Sequence, residues 1–304
     1  MRRLRPEIWA LLAVQLLFGS NAVVGRINVF WLGPRLMLLV RVVGATLVFL
    51  ALARPLGAVR PGSRREALWL ALCGLLGVAL NQGLYMTGLS LSSATNATII
   101  GTSVPVFTAA FAVAAGDERL SWRRALGIGL ALAGALSLAG LDGLRLGRAS
   151  LGDLCFLGNS LSYSGYLVVS RRLVRRHGAM TVVVWSFALG AIFLLPYDLP
   201  GLRVLGEPGP RPLWLVGTVA YVILFPTLLA YFLNAFALGK VDSSTAASFI
   251  YLQPIFAVAL AVPILGERPS PRTGAAALLI FLGVLLSTRA DGDTRLPAAQ
   301  PVPP

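Results

Sequence analysis

Asn81, Gln82 and Tyr85 stand together inside an otherwise apolar stretch, and Tyr231 and Asn234 interrupt another about 150 residues later. On a helix, Asn81 shares a face with Tyr85, and Tyr231 with Asn234. Amides and phenols hydrogen-bond a polar or zwitterionic solute while the rings cover its apolar part. Further candidates follow the same chemistry: Asn159, Tyr163 and Tyr166 at i, i+4 and i+7; Asn96 among Thr95, Thr98, Thr102 and Ser103; Tyr251 and Gln253 after Ser248; and Gln15, Ser20 and Asn21. The competing reading is hydrogen bonding between helices, worth only about 0.6 kcal/mol on average in a bilayer. For the serines and threonines, close helix approach is the better account. The recurring amides and phenols favour a cavity.

Arg41 is the charge hardest to dismiss, seven residues into an apolar stretch. It either attracts a carboxylate substrate or snorkels to the interface. Pro105 and Pro254 each remove a backbone donor inside an apolar stretch, which suits a gating hinge or an exposed carbonyl. The acids lie near stretch ends or in connections, and the lone histidine, His177, sits in a connection. That distribution favours facilitated diffusion or exchange over proton coupling. It also argues against a metal site or a membrane-embedded enzyme acting on lipid-linked substrate, which needs clustered acids or histidines. There is no P-loop pattern for ATP-driven pumping.

These residues need elements to hold them, and the composition says which. The 304 residues are 57% apolar and 12% charged, with mean hydropathy +0.78. A soluble domain carries about 25% charged residues, so this one expects lipid around it. Ten apolar stretches are predicted as membrane helices: 8–25, 34–53, 67–89, 92–115, 124–141, 151–170, 179–199, 212–238, 243–265 and 272–289. They are called helices one to ten below. The first imitates a signal peptide but lacks a small-residue cleavage site, so it is expected to be retained. Residues 1–7 are expected to form a short N-terminal segment and the proline-rich 290–304 a disordered tail. Cys73 and Cys155 read as small apolar residues.

The net charge of +14 is topological. Of the 26 Lys and Arg, 17 fall on the side of both termini and the even-numbered loops, 8 on the other side, and Arg41 lies within helix two. The positive-inside rule then places both termini in the cytoplasm.

The chain also repeats itself. Shifted by 149 residues, Ala97 meets Ala246, Pro105 meets Pro254, Phe107 meets Phe256, Glu118-Arg119 meets Glu267-Arg268 and Gly134 meets Gly283. Gln82 then meets Tyr231, and Tyr85 meets Asn234. The fold class is all-α: a polytopic membrane protein of two five-helix repeats, 8–141 and 151–289, inverted because five is odd.

Pro34 with Arg41, the Ser92-Ser93-Ala94-Thr95-Asn96-Ala97 opening of helix four, Pro105, Glu118-Arg119-Leu120-Ser121, Gly152-Asp153 and Gly266-Glu267-Arg268 together resemble the EamA family of the drug/metabolite transporter superfamily. The resemblance covers about residues 8–289 and departs at Pro269, where the first repeat has Leu120. It implies a secondary transporter, not an enzyme, that exports or exchanges amino acids or related small polar metabolites by alternating access. It also implies helices five and ten at the periphery, which their Gly- and Ala-rich, nearly apolar sequences match. The expected partners are a small-molecule substrate and the lipid bilayer of the cell membrane, with no nucleic acid, no cofactor and no metal; a homodimer stays open. A non-transporting scaffold is the remaining alternative, and it would not need paired polar sets.

Overall fold

A computed structural model describes residues 6–116, 147–206, 212–266, 268 and 270–289, with isolated positions between 122 and 134. Every regular element among them is a helix. Five spans are long and apolar enough to cross a membrane: Pro6–Ala53, Arg64–Leu91, Ala94–Ala114, Ala179–Leu205 and Trp214–Leu238. Large side chains such as Phe30, Leu68 and Leu213 stand exposed, as a lipid-facing surface requires.

Helices one and two run as Pro6–Ala53, broken at Gly33 (φ 69°, ψ 161°). Helix one is thus longer than the expected 8–25. Helices six (Arg148–His177) and seven (Ala179–Asp198) meet the same way, at Gly178 with φ 82° and ψ 158°. That backbone region is essentially open to glycine alone, so two glycines 145 residues apart make the same joint. Helix seven is expected over 179–199 and gives way to a 3-10 stretch, Leu199–Gly206.

Helix three starts earlier than expected, at Arg64, because Ser63 and Glu66 cap it: Ser63 accepts from the Glu66 N–H at 3.2 Å, and Glu66 accepts from the Gly62 N–H at 2.8 Å. It continues through a π-helical segment, Leu75–Leu80, to Leu91. Helix eight repeats the plan, with Trp214–Val222, a π segment Ile223–Leu229 and Ala230–Leu238. Helix four divides into Ala94–Gly101 and Val104–Ala114, and helix nine into Ser243–Ser248, a 3-10 turn and Gln253–Leu265. Helix ten is Pro271–Arg289 and lies at the edge, with Leu278, Phe281 and Leu282 exposed. The expected helix five, the Glu118-Arg119 pair, Pro269 and the 290–304 tail lie largely or wholly outside the described residues.

The offset between repeats therefore has two values. Helices three, four, eight and nine match at 149 residues, whereas 34–53 superposes in sequence on 179–198 at 145. The four-residue difference arises between helices two and three and between seven and eight.

Glycines set how closely the helices approach. A Cβ on Gly77 would lie 2.4 Å from the Tyr166 ring, one on Gly88 2.5 Å from Phe156, and one on Gly19 2.7 Å from the Phe256 Cβ. Helix three thus packs on helix six, and helix one on helix nine. Helix six in turn packs on helix four, where Ser164 donates to the Val104 carbonyl at 3.0 Å. The first helix of each repeat therefore lies against the fourth helix of the other.

Candidate functional site

The two repeats touch at their equivalent polar residues. Gln82 Nε2 donates to the Tyr231 hydroxyl at 3.0 Å, and these residues are matched by the 149-residue shift. A contact between matched positions sits on the axis relating the halves. The same hydroxyl lies 2.8 Å from Asn81 Oδ1 and 3.1 Å from the Gly77 carbonyl.

The π segments just before these residues explain how the carbonyls become accessible. A π turn lengthens the hydrogen-bonded ring and is concentrated at functional positions. In helix eight the cause is visible in the sequence: Pro226 has no N–H for the Val222 carbonyl four residues back. The Thr227 hydroxyl donates to that carbonyl instead, at 2.7 Å, and accepts from Arg41 Nε, also at 2.7 Å. Pro226, unmatched in the first repeat, thus begins the chain of bonds that fixes Arg41.

Around this axis lies a half-open cavity lined by residues of both repeats. Of the expected site residues, Arg41, Asn81, Gln82, Tyr85, Asn159, Tyr163, Tyr231 and Gln253 line it. Asn159 Nδ2 donates to the Asn81 carbonyl at 2.7 Å, and Gln253 donates to Gln15 at 2.7 Å. Arg41 is 3% exposed and is the one charged residue among the described lining residues, so it does not snorkel.

Three expected residues are elsewhere. Asn96 instead holds the turn between helices three and four to helix six, with its amide 3.1 and 3.2 Å from the Asp153 carboxylate oxygens. Asn234 is buried beside the cavity without lining it. Tyr251 faces helix ten, its ring 6.5 Å from that of Phe281. Polarity predicts all three, and helical phase turns Asn96 and Tyr251 to other neighbours.

The prolines expected as gating hinges or sites of an exposed carbonyl do not lie mid-helix. Pro105 and Pro254 each sit in the first turn of a new helical segment, where a missing N–H costs little. Residues one turn upstream, Gly101 and Ile250, both line the cavity and are 149 apart. The Ile250 carbonyl accepts from the Gln253 N–H. A hinge at these joints fits better than a bare carbonyl.

Phe18 and Asn21 of helix one, with Ala97, Thr98 and Val104 of helix four, complete the lining. Phe18 is the aromatic lining residue that polarity does not reveal. The signal that could have found it is the 145-residue offset, which pairs it with Tyr163. The two rings meet edge to face at 6.3 Å, and Phe18 meets Tyr231 at 5.9 Å.

The sequence pattern of the EamA-like transporter family matches residues 5–140 and 150–289. The chain belongs to that family. It is therefore a multi-pass membrane transporter and not an enzyme. It is 29% identical to the uncharacterized inner membrane transporter YedA of Escherichia coli, over 94% of this chain and 92% of the relative. It is 26% identical to a probable terminal-alkyne amino-acid exporter of Streptantibioticus cattleyicolor, over 98% and 99%. An uncharacterized transporter of Archaeoglobus fulgidus is 27% identical over 76% and 79%. A solved crystal structure at 21% identity shares the fold, with a TM-score of 0.62 over 93% of this chain and 97% of that one.

Two acids in the transporter are less peripheral than expected. Asp153 is 2% exposed because helix six begins at Arg148 and carries it inward, where it accepts from Ser92 and Asn96. Asp198 is 1% exposed at the end of helix seven. Neither lines the cavity.

Proposed function

We propose that the protein is a secondary transporter, exporting or exchanging amino acids or related small polar metabolites by alternating access through the cavity between its repeats. The observation that carries this reading is the Gln82–Tyr231 contact between matched positions at the cavity wall. A solute bound on the axis of an inverted repeat is met by both halves, which rock about it to open either side in turn. The breaks at Thr102–Ser103 and Phe249–Leu252, each beside a proline, supply hinge points in both halves. Among the described residues the lining holds amides, phenols and one guanidinium but no carboxylate, which supports exchange or facilitated movement without proton coupling. The amino-acid assignment draws on the name of the Streptantibioticus relative, and the count of 17 basic residues against 8 supports cytoplasmic termini in a cell membrane.

In proteoliposomes loaded from an amino-acid and metabolite panel, the purified protein should give counterflow of at least one labelled solute. Asn81→Ala should reduce it by about tenfold, the loss of one or two polar contacts. Flux no greater than in protein-free vesicles across the panel overturns the proposal.

A further inference from the structure

Among the described residues the cavity has one positive charge and no negative charge to balance it. Arg41 is buried, and among the described residues no carboxylate pairs with it. Its Nε is committed to Thr227. A guanidinium has five N–H donors and stays charged, so the Thr227 bond uses one and leaves the planar fork to the cavity that Arg41 lines. A buried charge without a counter-ion is costly, and a planar carboxylate is the group a guanidinium binds through two parallel bonds. The matched position in the second repeat, 145 residues on, is Ser186. The charge is therefore on one side of the axis only, and a solute with one carboxylate enters in one orientation.

Gln82 supplies the opposite chemistry. Its amide orientation follows from the hydrogen-bond network. The Tyr231 hydroxyl has a single proton, directed to Asn81 Oδ1 at 2.8 Å or to the Gly77 carbonyl at 3.1 Å, both of which can only accept. The hydroxyl must therefore accept from Gln82, which turns Nε2 toward it and leaves Oε1 as an acceptor. That oxygen is buried and has no hydrogen-bond partner, in a residue 2% exposed. An orphaned acceptor in such a place calls for a donor. The Phe18, Tyr163 and Tyr231 rings nearby add faces that attract a cation.

We infer that the transported solute is a zwitterionic amino acid whose carboxylate is bound by the Arg41 guanidinium and whose ammonium is accepted by Gln82 Oε1. Arg41 is the specificity-determining residue, and it rejects amines, amides and esters. This assignment rests on the transport reading above and narrows it to a substrate class.

The test uses full-length protein in proteoliposomes, with counterflow of labelled amino acids competed by the free acid, its C-terminal amide and the decarboxylated amine. Wild type should prefer the acid over the amide by at least about tenfold. Arg41→Gln should bring that ratio close to one, Arg41→Lys should restore part of it, and Gln82→Leu should weaken the acid while keeping its preference over the amide. A wild type that accepts acid and amide equally overturns the inference even if Arg41→Gln does not fold. An unchanged ratio in a folded, active Arg41→Gln protein overturns it while leaving amino-acid transport standing. Absence of flux for every amino acid overturns the transport reading, and this inference with it.

Discussion

The two repeats close their third-to-fourth helix junctions with the same residue type and different partners. Arg26 and Arg171, 145 residues apart, stand toward the end of the first helix of their repeats. Arg26 donates to the Leu89 carbonyl. Arg171 donates to the Val241 carbonyl at 3.2 Å and pairs with the carboxylate of Asp242. Asp242 is the N-cap residue of helix nine, and its match at the N-cap of helix four is Ser93. The junction that lacks the acid has another within reach, for Asp153 of the second repeat accepts from Ser92 and Asn96 of the first. One end of the bundle is thus tied by a buried carboxylate crossing between repeats, and the other by an ion pair within one repeat whose Asp242 side chain is 61% exposed. Symmetry of backbone does not require symmetry of energy. A buried carboxylate bonded by hydroxyl and amide is expensive to disturb, and an exposed pair is screened by water and salt.

That difference sets a graded series of outcomes. The largest is steric and applies to the first repeat alone. Gly77→Val places atoms where the Tyr166 ring already sits, while its match in the second repeat is Pro226. The cost should be about 3 kcal/mol, at the upper end for overpacking, seen as a large fall in melting temperature in detergent.

Next, Asp153→Asn should cost about 2 kcal/mol, because one acceptor becomes a donor facing the Asn96 amide. Thermal unfolding beside Ser92→Ala checks it, and a cost no larger than that of Asp242→Asn would erase the contrast between the two ends.

Gly33→Ala and Gly178→Ala should each cost about 1–2 kcal/mol, and by equal amounts. No atom lies within 4 Å of either added Cβ, so only backbone strain is paid at both joints. Unequal losses would show that the two joints are not equivalent.

The smallest effect belongs to Asp242→Asn, under about 1 kcal/mol. Comparing melting temperatures at low and high salt checks it, since the wild-type advantage should shrink as salt rises.

Much of the fold could be read before any coordinates. Helix nine is expected over 243–265 and spans those residues, from the N-cap Asp242 to Gly266, whose left-handed φ of 66° ends it. Helix one is expected to end at 25 and instead continues to the break at Gly33, with Arg26 bonded to the Leu89 carbonyl and Asn28 to Thr218. The polar triplet of helix three and its partner in helix eight were legible from spacing. Asn96, Asn234 and Tyr251 were not separable from them, because a polar residue on a membrane helix shows only that it avoids lipid, not which neighbour receives it. Thr227 carries no signal in sequence, since a hydroxyl after a proline gains meaning only when Arg41 lies 2.7 Å away.

Read alone, the residue order shows that the chain lies in a membrane, that it is built twice over, and which polar side chains are candidates for the axis. Those properties are one-dimensional: hydropathy, charge alternation and the 149-residue recurrence survive without any contact being known. Only the tertiary structure decided the second offset of 145, the crossed packing of helices one and six, the place of Phe18 in the cavity and the unbalanced charge of Arg41. Periodicity fixes which face of a helix avoids lipid. The partner of that face is chosen by close packing at glycines and by hydrogen bonds between residues up to 238 positions apart, which no local pattern encodes.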